Sequence, residues 1–433
     1  MHPPAATGNP EWLGHRRAPY PRFTGVARCG TWNYHAFVKR EPVQRTREQI
    51  GQLARAGLDW VSFATEATEI LRRAVPFDRS CWHTVDPGTI LFTGSLNQNV
   101  GCSGSWLAEY EYVVEDVNKW SFLARSGRLA GATSIATYGD LSRSARHRSS
   151  EAYGIGDELR CSFVLNANYW AAAGFLRDGD RPWFSEDDVE LMRLLSGPIA
   201  DGFRRALLAA AMSDDEPLEE APGVVVFDES GQVESLSPAA ERWIAQLVEV
   251  PAPPVPEQSR PLQVVAARAR ALKAGQDPLE LGARSRVQTR SGRWLLLYGT
   301  RLSGGAADRT AVVIQPAAMH EVAPLIALAY GLTKREREIT RLCMQGQLTK
   351  QMAQTLGVSV YTIQDHLKSI FEKTGVQSRG ELVGQIFLEH YVPRWEDLDD
   401  APSGWFAKTS VPPDGETPRE GHDHAAAVPT PLP

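Results

Sequence analysis

The side chains best suited to chemistry stand near the end of the chain, in GVSVYTIQDHLKSIFEKTG at 357–375. Ile363, Leu367, Ile370 and Phe371 repeat at i, i+4, i+7 and i+8, which makes one apolar helix face. The opposite face offers Tyr361, Thr362, Gln364, Asp365 and Lys368. A Gln can pair with adenine N6 and N7, a Lys can donate to guanine, and an Asp can accept from cytosine N4. Gln364, Asp365 and Lys368 are therefore candidates for base contact. Lys350, Tyr361, Thr362, Lys373 and Arg379 are candidates for the DNA backbone, where contacts position a protein without specifying sequence. Against this stands a plainer reading, a solvated surface helix, for which Asp365 in the middle of the polar face is an argument.

The elements that would position these residues are marked by caps. In LTKREREITRLCMQG, Thr333 as N-cap and Glu336 at N3 form a capping box, and Gly346 ends the helix. TKQMAQTLG has Thr349 as a candidate cap and Gly357 as a stop. Val358 and Ser359 alone separate it from the next helix, which Ser359 caps and Gly375 ends. Ser378 and Glu381 form a second box opening RGELVGQIFLEHY, and Pro393 follows. Four capped helices with short turns make a compact all-α unit, with Ile339, Leu342, Met352, Ala353, Leu356, Val358, Ile363, Leu367, Ile370, Leu382 and Ile386 as its core. Short helix, tight turn and long helix over 349–368 is a helix-turn-helix, whose second helix can enter the major groove.

These residues carry a resemblance. LTKRERE, the Gly346 spacing and TKQMAQTLGVSVYTIQDHLKSIFEKTGVQSRGEL look like the LuxR-type (also FixJ- or NarL-type) DNA-binding domain over about 325–390. The resemblance implies that the helix holding Gln364, Asp365, His366 and Lys368 is the recognition helix and that the last helix carries a dimer contact. It implies double-stranded DNA as a partner, RNA polymerase as a second, and a homodimer. Two departures weaken the phosphate-binding charge and leave the scaffold whole. Thr349-Lys350-Gln351-Met352-Ala353 stands where the family commonly has Asn-Lys-Glu-Ile-Ala, and Gln364 where it has Lys or Arg.

Upstream, the text reads as α+β. Residues 1–45, rich in Pro, Gly and Arg, are expected as a flexible arm. From 46 to 212 a helical stretch is followed by strands, among them ELRCSFVLN and YWAAAGFLR, read as a hairpin joined by Ala-Asn. A long amphipathic helix, capped by Ser185 and with a kink expected at Gly197-Pro198, closes the unit. PFDRSCWHTVDPGT and WFSEDDVELMRLLSGPIADGF make this unit resemble a GAF-type sensory domain. An acidic linker, 213–221, precedes a block resembling a PAS domain at 222–317, interrupted by the Pro-rich VPAPPVPEQSRP. The tail 398–433 is expected to be disordered. The fold class is thus multidomain, with GAF-like and PAS-like α+β sensory domains ahead of an all-α four-helix domain.

Composition bounds the function. The net charge of −6 rules out a polycationic nucleic-acid binder, so a DNA-binding surface must be local. Residues 331–390 hold eight Lys or Arg against six acids, a surplus of +2. Five isolated cysteines (29, 81, 102, 161, 343) fit a reducing cytoplasm, and neither a signal peptide nor a membrane span is expected. No P-loop, H-E-x-x-H, G-x-S-x-G or kinase signature is present, so no enzyme is expected, and no receiver domain is evident either. Trp60, Trp82, Trp106, Tyr110, Tyr112, Trp120, Tyr169 and Trp170 are expected mainly as core, with a small-molecule pocket in the GAF-like unit as the other use; the identity of any ligand is unknown. Cys81 is expected to be a buried structural thiol. The expected function is a signal-responsive DNA-binding transcriptional regulator. The alternative is a signalling scaffold whose helical domain binds protein.

Overall fold

The computed structural model describes residues 40–101, 103–210, 221–272, 282–303, 308–385, 398–400 and 406–408. Most of the expected N-terminal arm, the acidic linker and the tail lie outside the described residues. Helix α1 (Arg40–Leu53) begins inside the span expected as the arm. Pro42 falls in the first turn, where a missing N–H costs nothing, and Thr46 Oγ1 donates to its carbonyl. Within the tail, Leu398–Asp400 pairs with Phe406–Lys408. Composition does not register a ladder made of main-chain bonds.

Asp59 caps helix α2 (Trp60–Ala74), accepting from the Val61 and Ser62 amides. An antiparallel sheet follows: β1 (Arg79–Asp86), β2 (Leu91–Gln98), β3 (Ala130–Ala132), β4 (Ile155–Leu165) and β5 (Asn168–Asp178), in the order β3-β4-β5-β1-β2. The turn between β4 and β5 is Asn166-Ala167, one residue earlier than the sequence suggests. Both have positive φ, 51° and 62°, which a two-residue hairpin of matching twist requires. Small elements cover one face: α3 (Gly104–Ala108), α4 (Trp120–Ser126), α5 (Thr133–Ala136) and α6 (Ala145–Ser150). The other face carries α1, α2 and the long helix α7 (Glu186–Ala209), which begins at a Ser185–Asp188 capping box and runs on through Pro198. Ser196 Oγ donates to Ser162 O and accepts from Val164 N, fixing α7 to β4. Trp82 lies at the centre of that face, its ring centroid 5.4–5.8 Å from those of Phe163, Phe175 and Phe203.

A second sheet holds β6 (Gly223–Phe227), β7 (Val233–Leu236), β9 (Arg284–Gln288), β10 (Trp294–Leu302) and β11 (Arg309–Pro316), in the order β7-β6-β11-β10-β9. Numbered from its own first strand, each sheet has the order 2-1-5-4-3. Helix α8 (Pro238–Ala245) leads into the Pro-rich insertion, which is more than a spacer. Its strand β8 (Glu249–Val250) pairs in parallel with β2 and extends the first sheet. It then delivers α9 (Arg260–Ala271), which is buried almost all round between the two sheets. The approach is close: a methyl group on Gly299 of β10 would lie 2.9 Å from the Val265 carbonyl of α9. One apolar cluster runs from Val85 and Phe92 of the first sheet and Trp120 of its cover to Phe227, Leu295 and Val312 of the second sheet.

Helix α10 (Met319–Ala329) joins this body to the C-terminal helices. Its Val322, Leu325, Ile326 and Ala329 belong to the first core, and Ala327 to the helical core. Arg204 of α7 donates to Ala329 O, and Arg286 of β9 donates to Glu321 O at 3.0 Å. Arg286 also pairs with the buried Asp86, with Nε 2.9 Å from Oδ2. Helices α11 (Lys334–Met344), α12 (Thr349–Leu356), α13 (Val360–Thr374) and α14 (Arg379–Gly384) follow. Their core is Ile339, Leu342, Met352, Ala353, Ile363, Leu367, Ile370 and Leu382, with Leu356 and Val358 half-buried at its edge. Leu332 and Cys343 join it, and Ile386 lies outside the described residues.

Candidate functional site

The helix-turn-helix is α12, a turn and α13. Gly357 ends α12 at φ +64°, a left-handed conformation that favours glycine. Ser359 then caps α13, its Oγ accepting from Thr362 N at 3.1 Å. The cap of α12 differs from expectation. The N-cap residue is Leu348, and Gln351 reaches back to accept from its amide at 2.7 Å; Thr349 is the first helical residue.

The α13 residues singled out for base contact share an exposed face. Gln364, Asp365 and Lys368 are all exposed, and Tyr361 at the start of the helix is 79% exposed. Lys350 on α12 is exposed as well. Thr362 is half-buried and its hydroxyl is 2.9 Å from Ser359 Oγ, so part of its capacity goes to the cap. His366 is half-buried.

Two expected phosphate contacts have other work in this structure. Lys373 Nζ donates to both oxygens of Glu336, at 2.8 and 2.7 Å. Glu336 is buried and also accepts from Thr333 N and Ser369 Oγ. Burial opposes its ionisation, but these donors, Lys373 first among them, hold its carboxyl at about 2. One residue thus closes the α11 cap and ties α11 to α13. Arg379 donates to Gln347 O and to Thr349 Oγ1, joining α14 to the start of α12. Arg335, not singled out from the sequence, donates to Leu356 O at 2.9 Å and anchors the end of α12 to α11. Sequence distance hides such ties. Glu336 at the third helical position announced only the cap.

The description "Bacterial regulatory proteins, luxR family" matches residues 331–385, the span just described. Spore germination protein GerE of Bacillus subtilis is 38% identical over 55 residues, which are 13% of this chain and 74% of that protein. The chain belongs to the LuxR family of bacterial regulatory proteins. The monoamine regulon transcriptional regulator of Klebsiella aerogenes is 40% identical over 57 residues, 13% of this chain and 25% of that protein. Transcriptional regulatory protein UhpA of Escherichia coli is 39% identical over 66 residues, covering 14% of this chain and 34% of that protein. The likeness to these two relatives is thus confined to about a quarter to a third of their length. Among solved structures, the phycoerythrobilin-bound GAF domain from a cyanobacterial phytochrome aligns with 38% of this chain and 96% of its own, at 12% identity and a TM-score of 0.28. Escherichia coli SdiA aligns with 79% of this chain and 95% of its own, at 11% identity and a TM-score of 0.26. At TM-scores this low, the α+β fold ahead of the LuxR-type domain rests on its own sheet topology.

In this LuxR-family chain the aromatic residues of the first α+β unit divide. Trp82 is core, with Nε1 donating to Thr68 Oγ1 at 2.9 Å, and Tyr112, Tyr169 and Trp170 pack in the interior. Trp106 and Trp120 line a cavity, and so does Cys81. Cys81, Cys161 and Cys343 are buried thiols, and burial pushes Cys161 well up. Buried behind the cavity is an ion network that the sequence did not reveal. Arg146 Nε donates to Glu158 Oε2 at 2.6 Å, Arg160 Nε to Glu158 Oε1 at 3.0 Å, and Arg160 Nη1 to Glu111 Oε2 at 3.0 Å. Burial alone would raise Glu158, yet the two guanidinium groups hold it at about 2. Among the described residues no helix is long and apolar enough to cross a membrane, and no group of His, Cys, Asp and Glu is placed to hold a metal.

Proposed function

We propose that this LuxR-family chain is a DNA-binding transcriptional regulator, working in the cytoplasm, that reads duplex DNA through α13 as a homodimer and responds to a signal received by its α+β units. The observation that carries the reading is the unobstructed polar face of α13, Gln364, Asp365 and Lys368, on a capped scaffold within the family match. Gln364 and Lys368 offer base-edge donors, and Asp365 accepts from cytosine or rejects sites that lack such a donor. Lys350 and Tyr361 face the phosphates, while Lys373 and Arg379 hold the helices that present them. RNA polymerase is the second partner in this reading, and the LuxR-type domain itself performs no catalysis.

The test is a mobility shift with the DNA upstream of the chain's own gene. Lys368→Ala and Gln364→Ala should each weaken specific binding by about 1–3 kcal/mol. No loss in either variant rules out the recognition-helix assignment. One observation favours a protein-binding scaffold instead: two of the expected cationic contacts are spent inside the domain.

A further inference from the structure

A cavity of about 180 Å³ opens on the first sheet beneath α3, α4 and α6. A cavity of about 150 Å³ admits a benzene ring, so this one takes a single ring with a small substituent. Its walls suit such a ring. Trp106, Leu107, Trp120, Ile155 and Leu176 line it, and Val100 stands at the rim, half-buried.

The open hydrogen-bonding capacity decides the charge of the ligand. Both oxygens of Glu158 already accept a guanidinium nitrogen. Arg160, 1% exposed, has Nε and Nη1 engaged, but its Nη2 makes no hydrogen bond among the described residues. At the rim, the His147 imidazole makes none either, and Arg79 stands nearby, bonded to Asp178 and Tyr153 O. The capacity left in the cavity thus includes a buried guanidinium donor at the floor, an imidazole at the rim and the hydroxyl of the exposed Tyr153. An ammonium ligand would meet a carboxylate whose two oxygens each already pair with a guanidinium group, and the two cations beside it would repel it. A carboxylate would complete Arg160 in the charge-assisted manner that guanidinium groups favour.

We propose that the cavity binds a single-ring aromatic carboxylate. Its ring packs against Trp106 and Trp120, its carboxylate accepts from Arg160 Nη2, and an acceptor at the far end of the ring meets His147. This names the ligand class for the signal-responsive reading above and rests on that reading for its biological use, but ligand binding and DNA binding are measured separately. Calorimetric titration of the full chain with benzoate, 4-hydroxybenzoate and benzylamine tests it. Both carboxylates should bind, with benzylamine at least about tenfold weaker. His147→Ala should remove the advantage of 4-hydroxybenzoate over benzoate and leave benzoate unchanged. Val100→Trp, which fills the entrance, should abolish binding of both while thermal unfolding and the DNA mobility shift stay as in the parent chain. Benzylamine binding as tightly as benzoate, absence of carboxylate binding, or full affinity in Val100→Trp would each overturn the proposal.

Discussion

Glu336 carries more than its place in the sequence suggested. It accepts from its own cap and from Ser369 and Lys373 on α13, in a buried setting. Removing Lys373 leaves that carboxylate short of its cation, so Lys373→Met should cost about 1–3 kcal/mol of stability. Chemical denaturation of the parent and of the Lys373→Met, Glu336→Gln and double variants checks this, and an additive double variant would mean the pair is not coupled. The pH dependence has a definite sign. The folded carboxyl sits at about 2, below its ordinary 4.5, so its stabilisation is complete above 4.5 and is lost as the pH falls from 4.5 towards 2. The loss should be smaller in Lys373→Met. At this scale the sequence put Gln364, Asp365 and Lys368 on one exposed face because one helix fixes their spacing. It did not show that Lys373 and Arg379 were engaged, because their partners lie 37 and 32 residues away.

At the scale of elements, legibility followed periodicity and caps. Helices α11 and α13 and the start of α7 announced themselves through Thr333, Ser359 and Ser185. Helix α9 did not, since burial on nearly every side removes the apolar-polar alternation by which a helix is recognised. The prolines ahead of it suggested a stiff spacer, where the structure has a strand of the first sheet and a buried helix. Helix α10 escaped for a related reason: its apolar residues serve two cores at once. The contact of α2 with α7 is equally silent in sequence. It depends on Gly202, where a methyl group would come within 2.1 Å of the Phe63 ring. Gly202→Ala should therefore lower stability by about 1–3 kcal/mol through overpacking, although alanine is the better helix former. Unfolding of the full chain measures it, and a gain in stability would show that Phe63 swings aside freely.

Over the whole molecule, the two α+β units are less separable than their sequences imply. They share an apolar cluster, β8 of the second extends the sheet of the first, and α9 is lodged between them. A chain ending at 212 should therefore expose Val85, Phe92 and Trp120, bind a hydrophobic dye and unfold without a sharp transition, whereas 40–329 should unfold cooperatively. The LuxR-type domain has its own core and meets this body chiefly through α10. That arrangement gives a physical route between the α+β body and α13, and under the proposed function α10 is the element whose position both sides would bias. Under the proposed function, the exposed face of α13 binds DNA. The most direct test of that claim is the salt dependence of full-length binding to the upstream DNA, measured from low to physiological ionic strength. Binding should be present at low salt and weaken linearly in log K against log salt, with a slope that falls by about one in Lys350→Ala. Absence of binding at low salt would contradict the claim and leave the helical domain as a protein-interaction module.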